Sequence, residues 1–238
     1  MSRITNCIHE SWNPIRQELY KEPLSTLNSQ ILPNISYQPK SENIFRVFNM
    51  PIKDIKVVIL GQDPYPKPGD AVGYAFAKPL LMKNPVSLRN IEQEVRNSGQ
   101  INNSDEIDLF AWVDQGVFLL NTALTVETGK AGSHLKYWES FTKRVIAYIA
   151  KENPCIWVLW GAKAQNFKSL IPNQLLVKGY NRDTIKDIPY NNSYNYILTA
   201  PHPAAEAYAG GKAGFFGCDH FYQINEILKK NSKQTIKW

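Results

Sequence analysis

Apolar residues along this chain of 238 gather into short unbroken runs rather than long amphipathic stripes. Four such runs stand out: "KVVIL" (56–60), "GVFLLN" (116–121), "CIWVLWG" (155–161) and "YNYILTA" (194–200). Each is rich in branched or aromatic side chains and too short for a buried helix, so each predicts a strand covered on both faces. Helix-like stretches at 86–97, 138–151 and 162–170 lie between them. The alternation predicts an α/β fold: a three-layer single domain over residues 1–238, with a central four-stranded parallel sheet flanked by helices. Ahead of the first strand, 8–20 reads as a helix with Pro14 near its start or breaking it, and "NIFRVFN" (43–49) as a shorter one. The polar, Gly/Pro/Asn-rich stretch 178–192 reads as a long surface loop.

In parallel sheets ligands collect at the carboxyl ends of the strands, and the chemically suggestive residues fall there. Asp63 follows the first strand, Asn121 closes the second, Gly161 and Ala162 follow the third, and His202 follows the fourth. In "GQDPYP" Gly61 permits a sharp exit, while Pro64 fixes its own φ and biases Asp63 away from the helical region, which presents the acid on a preset loop. An Asx turn closing a strand is the plainer account of an Asp-Pro pair. His202, bracketed by Pro201 and Pro203, is likewise either a presented imidazole or a structural one. Asn121 ends an apolar run; its amide either bonds a neighbouring loop or, since it donates and accepts, reads the edge of a base.

Composition narrows the classes. No stretch approaches the apolar length of a membrane span and the N-terminus opens without the apolar block of a secretory signal, so the expectation is a cytoplasmic protein, with a nuclear or viral-factory location if the source is viral. Cys7, Cys155 and Cys218 are an odd, scattered set that supports neither a disulfide framework nor a thiolate metal site. Twenty-seven Lys and Arg against 21 Asp and Glu leave a net charge of +6, which suits a polyanion without requiring one. No GxGxxG follows the first strand, which argues against nicotinamide binding.

The segments "GQDPY", "GYAF", "GVFLLNTALTV", "GSHLKYWESFT", "WVLWGAKAQ" and "GFFGCDHFYQINEIL", with a closing "TIKW", resemble in content and order the family-1 uracil-DNA glycosylases, from about residue 43 to 238. The resemblance implies a monomeric enzyme that flips uracil out of DNA and hydrolyses its N-glycosidic bond, without lyase activity, metal or cofactor. It implies Asp63 as the catalytic acid that positions water and stabilises charge on the sugar. It implies His202, neutral, as the group that stabilises negative charge on uracil O2. Gln62 would meet uracil through its backbone N–H, Phe76 would stack on the flipped base, and Tyr65 would exclude a C5 methyl. Asn121 would pair with N3–H and O4. A buried core aromatic is the plainer account of Phe76.

The sequence departs from the family after His202. Where the family has "HPSPLS", with a phosphate-gripping serine and a leucine wedge, this chain has "HPAAEAYAGGKAGFFG". Ala204 replaces the serine, Glu206 occupies the leucine position, and about three extra residues precede "GFFG". A charge is a poor wedge between stacked bases. Tyr208 could stack in its place, Gly210, Gly211 and Lys212 could form a phosphate nest, or the loop is merely longer. Ala162 stands where a serine is frequent, "KNPVSL" keeps Ser87 in a less proline-rich loop, and Pro66 replaces a common histidine. The implied DNA contacts are therefore Pro64, Ser87, Ala162, Lys163, Pro203, Ala204, Tyr208 and Lys212. The departures predict single-stranded DNA preferred over duplex and weakened binding of inhibitor proteins that mimic DNA. The competing readings are a glycosylase of altered base choice, which Tyr65 and Asn121 oppose, and a DNA-binding or replication-scaffold module on the same fold, which Asp63 and His202 oppose.

Overall fold

The computed structural model describes residues 8–19, 35–102 and 105–238. Among these residues seven strands form: β1 (Tyr37–Gln38), β2 (Val57–Gly61), β3 (Val117–Asn121), β4 (Val126–Glu127), β5 (Ile156–Trp160), β6 (Gln174–Leu176) and β7 (Asn195–Ala200). β1 and β4 make a small antiparallel ladder. The others form one parallel sheet in the order β3-β2-β5-β7-β6.

The four apolar runs became four adjacent members of this order, β3, β2, β5 and β7, with β3 at one edge. The sheet nevertheless has five strands, not four. β6 was missed because it is a three-residue edge strand whose outer residues, Gln174 and Leu176, stay exposed, so no buried run marks it. The loop 178–192 is as read, with a single turn of 3₁₀ helix at Ile185–Asp187.

Helices cover both faces: α1 (Asn13–Leu19), α2 (Val86–Asn97), α3 (Leu109–Asp114), α4 (Leu135–Glu152), α5 (Ala162–Gln165), α6 (Ala205–Tyr208) and α7 (His220–Lys230). Pro14 sits in the first turn of α1, where its missing N–H costs nothing, and a 3₁₀ turn at Glu10–Trp12 precedes it. The stretch 8–20 is thus split, and Tyr20 lies outside the described residues. "NIFRVFN" forms a 3₁₀ turn at Arg46–Asn49, and 162–170 breaks into α5 and a 3₁₀ turn at Lys168–Leu170.

Strand alternation divides the core. Val58, Leu60, Phe118, Leu120, Trp157 and Leu159 face Trp12, Phe48 and the buried side of α4. Val57, Ile59, Val117, Leu119, Val158 and Trp160 face α2, α3 and α7. The chain winds outward from β2 to β3 and then returns to β5 on the other side of β2, so the reversal falls between β2 and β5. The crevice beyond the carboxyl ends of those two strands is where such a sheet holds ligands.

Candidate active site

β2 and β3 end in register, Gly61 opposite Asn121. A Cβ on Gly61 would lie 2.4 Å from Asn121 Oδ1 and 2.8 Å from Ala75 Cβ, so only glycine lets the amide lie across the strand end. Asn121 is 7% exposed, yet its amide has no hydrogen-bond partner among the described residues and lines a cavity of about 220 Å³. The contrast is with Asn195, whose amide meets Cys155 N–H, Trp157 Nε1–H and the carbonyls of Ala150 and Pro172. A buried amide left open toward a cavity is a group waiting for a ligand.

Gln62, Asp63, Pro64, Tyr65, Phe76, Ser87 and His202 line the same cavity. Asp63 is held on both oxygens: Gly132 N–H donates to Oδ2 at 2.5 Å and Gln62 Nε2 to Oδ1 at 2.8 Å. Gln62 is in turn fixed by Lys163 Nζ, which donates to its Oε1 at 2.7 Å, and its carbonyl accepts from Thr122 Oγ1 and Ala123 N–H. The loop carrying Ala131 and Gly132 is a part of the site that the sequence did not signal, because its contribution is a backbone N–H.

Phe76 has φ = 64°, a region that bulky residues enter only at a cost of roughly 1–3 kcal/mol. Tyr65 Oη donates to its carbonyl at 3.0 Å and Ala75 N–H to Leu119 O at 3.0 Å, which fixes the turn. The Phe76 ring packs edge-on against Trp160 (5.8 Å) and lies 6.2 Å from His202. Burial pushes the Tyr65 phenol up to about 12, so it stays a neutral, pinned ring.

His202 receives Ala204 N–H on Nδ1 at 3.1 Å. That nitrogen is therefore the acceptor, and in the neutral ring Nε2 carries the hydrogen. Burial first, and then the charge of Lys163, hold its pKa below the ordinary imidazole value. A cavity of about 240 Å³ next to the first is bounded by Gln62, His202, Gly161, Ala162 and Lys163. Pro203 is buried, and its carbonyl accepts from Asn90 Nδ2 at 2.8 Å.

The sequence model of the family described as "Uracil DNA glycosylase superfamily" matches residues 48–229. The uracil-DNA glycosylase of Campylobacter jejuni (strain RM1221) is 36% identical, over 97% of this chain and 94% of its own length. The chain belongs to the uracil-DNA glycosylase superfamily. The Aliarcobacter butzleri uracil-DNA glycosylase is 42% identical over 84% of this chain and 85% of its own. The crystal structure of mimivirus uracil-DNA glycosylase superposes with a TM-score of 0.80 at 27% identity, covering 99% of this chain and 88% of that one. A Y322L form of the mimivirus protein, solved in complex with UGI, gives 0.81.

Against this glycosylase frame, the loop after His202 is not what the residue count implied. Glu206 is no exposed acid at a wedge position: it is 3% exposed and turns inward. Its carboxylate accepts N–H from Ala213 at 2.9 Å, Phe215 at 2.5 Å and Phe216 at 3.0 Å. Burial alone would raise its pKa, but the N–H groups of Phe216, Ala213, Phe215 and Gly214 together outweigh it and hold the carboxyl below its usual range. The inserted residues form a stapled loop whose tip carries Tyr208, 91% exposed, and an exposed Lys212; neither lines the two cavities. Glu206→Ala strands three N–H donors, and the expected cost is about 3 kcal/mol, seen as a lower denaturation midpoint at unchanged slope. Because the folded pKa is depressed, this stabilisation is present above the unfolded carboxyl value and fades as pH falls through the depressed one.

Proposed function

We infer that this chain is a DNA-repair glycosylase that hydrolyses the N-glycosidic bond of uracil in DNA and leaves an abasic site, acting as one unit over residues 1–238. Family membership supports the reaction. The observation that carries the assignment to this site is the open, buried amide of Asn121 facing Asp63 and His202 across one cavity.

An extruded uracil pairs its N3–H and O4 with the Asn121 amide. Cytosine presents the opposite polarity there and would leave buried groups unpaired. Phe76, locked at its positive φ, supplies the stacking face. Tyr65, pinned through its hydroxyl, closes the edge where thymine carries a methyl. As the bond breaks, negative charge develops on O2, where the hydrogen on His202 Nε2 stabilises it, and the backbone N–H of Gln62 faces the base. Asp63 stabilises the positive sugar and orients the attacking water, its carboxylate aimed by Gly132 and Gln62. The step needs only water: it adds to C1′, and uracil leaves with the bond pair and takes up a proton.

Pro64, Ser87, Ala162, Lys163, Pro203, Ala204, Tyr208 and Lys212 form the proposed DNA contact surface, with Tyr208 at the exposed tip where a wedge belongs. We place the site of action in the cytoplasm, and no helix among the described residues is long and apolar enough to cross a membrane. The test is single-turnover uracil release from matched single-stranded and U·G duplex strands. The expected ratio favours the single strand, because unstacking costs a few kcal/mol in duplex and little outside it; equal rates would show that the stapled loop serves as a full wedge. Inhibitor proteins that mimic DNA and enclose the family's leucine are expected to bind weakly because this loop has Glu206 in place of that leucine, and stoichiometric inhibition would contradict that.

Lys163 gives a separable prediction. Lys163→Met removes the cation that helps keep His202 neutral, so His202 protonates at a higher pH. If neutral His202 is the active form, the acid limb of kcat/KM moves upward in pH. A role limited to gripping phosphate would instead raise KM and leave the limb in place.

A further inference from the structure

The pocket is flanked by two solvent-facing apolar points, and one of them has no assignment. Residues 78–85 connect Ala77 to the start of α2, and both Ala77 and Ser87 line the first cavity. Met82 N–H donates to Pro79 O at 3.1 Å, closing a turn whose two corner residues are Leu80 and Leu81. Turn corners favour Pro, Asn, Asp, Ser and Gly; two leucines there bury nothing. Leu80 is 82% and Leu81 102% exposed, whereas the next large apolar residue after Tyr208, Tyr190, is 48% exposed.

The turn is built rather than loose. Lys78 Nζ donates to the carbonyls of Pro79 (3.2 Å) and Leu80 (3.4 Å), Arg89 to Asn84 O (2.8 Å), and Asn84 Nδ2 to Glu92 (3.0 Å). The Asn90–Pro203 bond ties the helix behind it to the His202 loop, so the Leu-Leu turn and the Tyr208 tip are mounted on connected walls of one cavity.

We propose that the Leu80–Leu81 turn is a second apolar contact for the uracil-bearing DNA strand, packing against bases that flank the extruded nucleotide. The inference rests on the glycosylase reading. Two leucine side chains fall far short of the ~1,000 Å² that a specific protein interface needs, yet they have the size of the wedges that proteins place against base steps. Lys78, Lys83 and Arg89 around them complement phosphate.

The test is the double variant Leu80→Ser/Leu81→Ser; serine suits both corners, so the turn persists, and an unchanged Tm confirms it. Uracil release is measured on a uracil-containing trinucleotide and on a single strand of about 15 nucleotides, within the range that such proteins cover. The expected result is a fall of about tenfold in kcat/KM on the longer strand, none on the trinucleotide, and no change in salt slope, since no phosphate contact is lost. Unchanged activity on both, or an equal fall on both, overturns the proposal. Anisotropy with a uracil-free strand of the same length separates the two readings. If the native protein releases no uracil, the glycosylase reading fails, and the turn is judged by affinity alone: about tenfold weaker binding of that strand upholds it, and unchanged binding sinks it.

Discussion

Asp63→Asn is expected to lower single-turnover uracil release by about a thousand-fold, the scale of a lost transition-state charge together with a lost water-orienting group. The fold provides a reason beyond the missing charge. Both Asp63 oxygens are already acceptors, one from Gly132 N–H and one from the Gln62 amide. Asparagine keeps one acceptor and must turn its NH₂ toward the other donor, so the loop at 128–133 or the Gln62 side chain has to give way. The accompanying stability loss should stay near 1 kcal/mol, since both groups are only half-buried. An Asp63→Asn protein that is stable, binds uracil DNA and still releases uracil within tenfold of the native rate would remove Asp63 from the reaction.

Gly61→Ala is expected to cost about a hundredfold in turnover with roughly 1–3 kcal/mol of stability, the ordinary penalty of overpacking. The new methyl would fall 2.4 Å from Asn121 Oδ1, and the opposite side is closed by Ala75. Asn121 must then rotate or shift off the line of the base edge, and a displacement of about 1 Å at such a site is worth that factor. A lowered rate of uracil release with an unchanged Kd for an abasic product strand would place the damage in base reading rather than in DNA binding. Native turnover in Gly61→Ala would mean that the amide does not need its present position.

Most of this architecture could be read from side-chain pattern, because buried parallel strands announce themselves as branched apolar runs. What escaped the sequence did so for definable reasons. β6 carries exposed Gln174 and Leu176 and hides inside a polar surround. α3 is six residues long, too short for a helical period to emerge. The strand-end residues that meet at the cavity, Asp63, Asn121 and His202, were legible as candidates, whereas Gly132, acting through its N–H, had no side chain to betray it. Glu206 was legible as an oddity but not as a staple: its donors lie seven to ten residues ahead in a loop whose path no local rule sets. Lys163 was read as a surface cation available to DNA, and its bond to Gln62 depends on β2 and β5 being neighbours, which is a fact of topology.

The strand order has a consequence during synthesis. β7 is the last strand made, and it lies between β5 and β6, so until residues 195–200 have left the ribosome β5 presents an open edge and β6 has no partner. His202 follows immediately behind. A nascent chain, or one truncated before residue 200, therefore holds Asp63 and Asn121 without His202. On the proposed roles base excision would begin only when the sheet closes, and before that moment the unpaired edge of β5 is open to pairing with another chain.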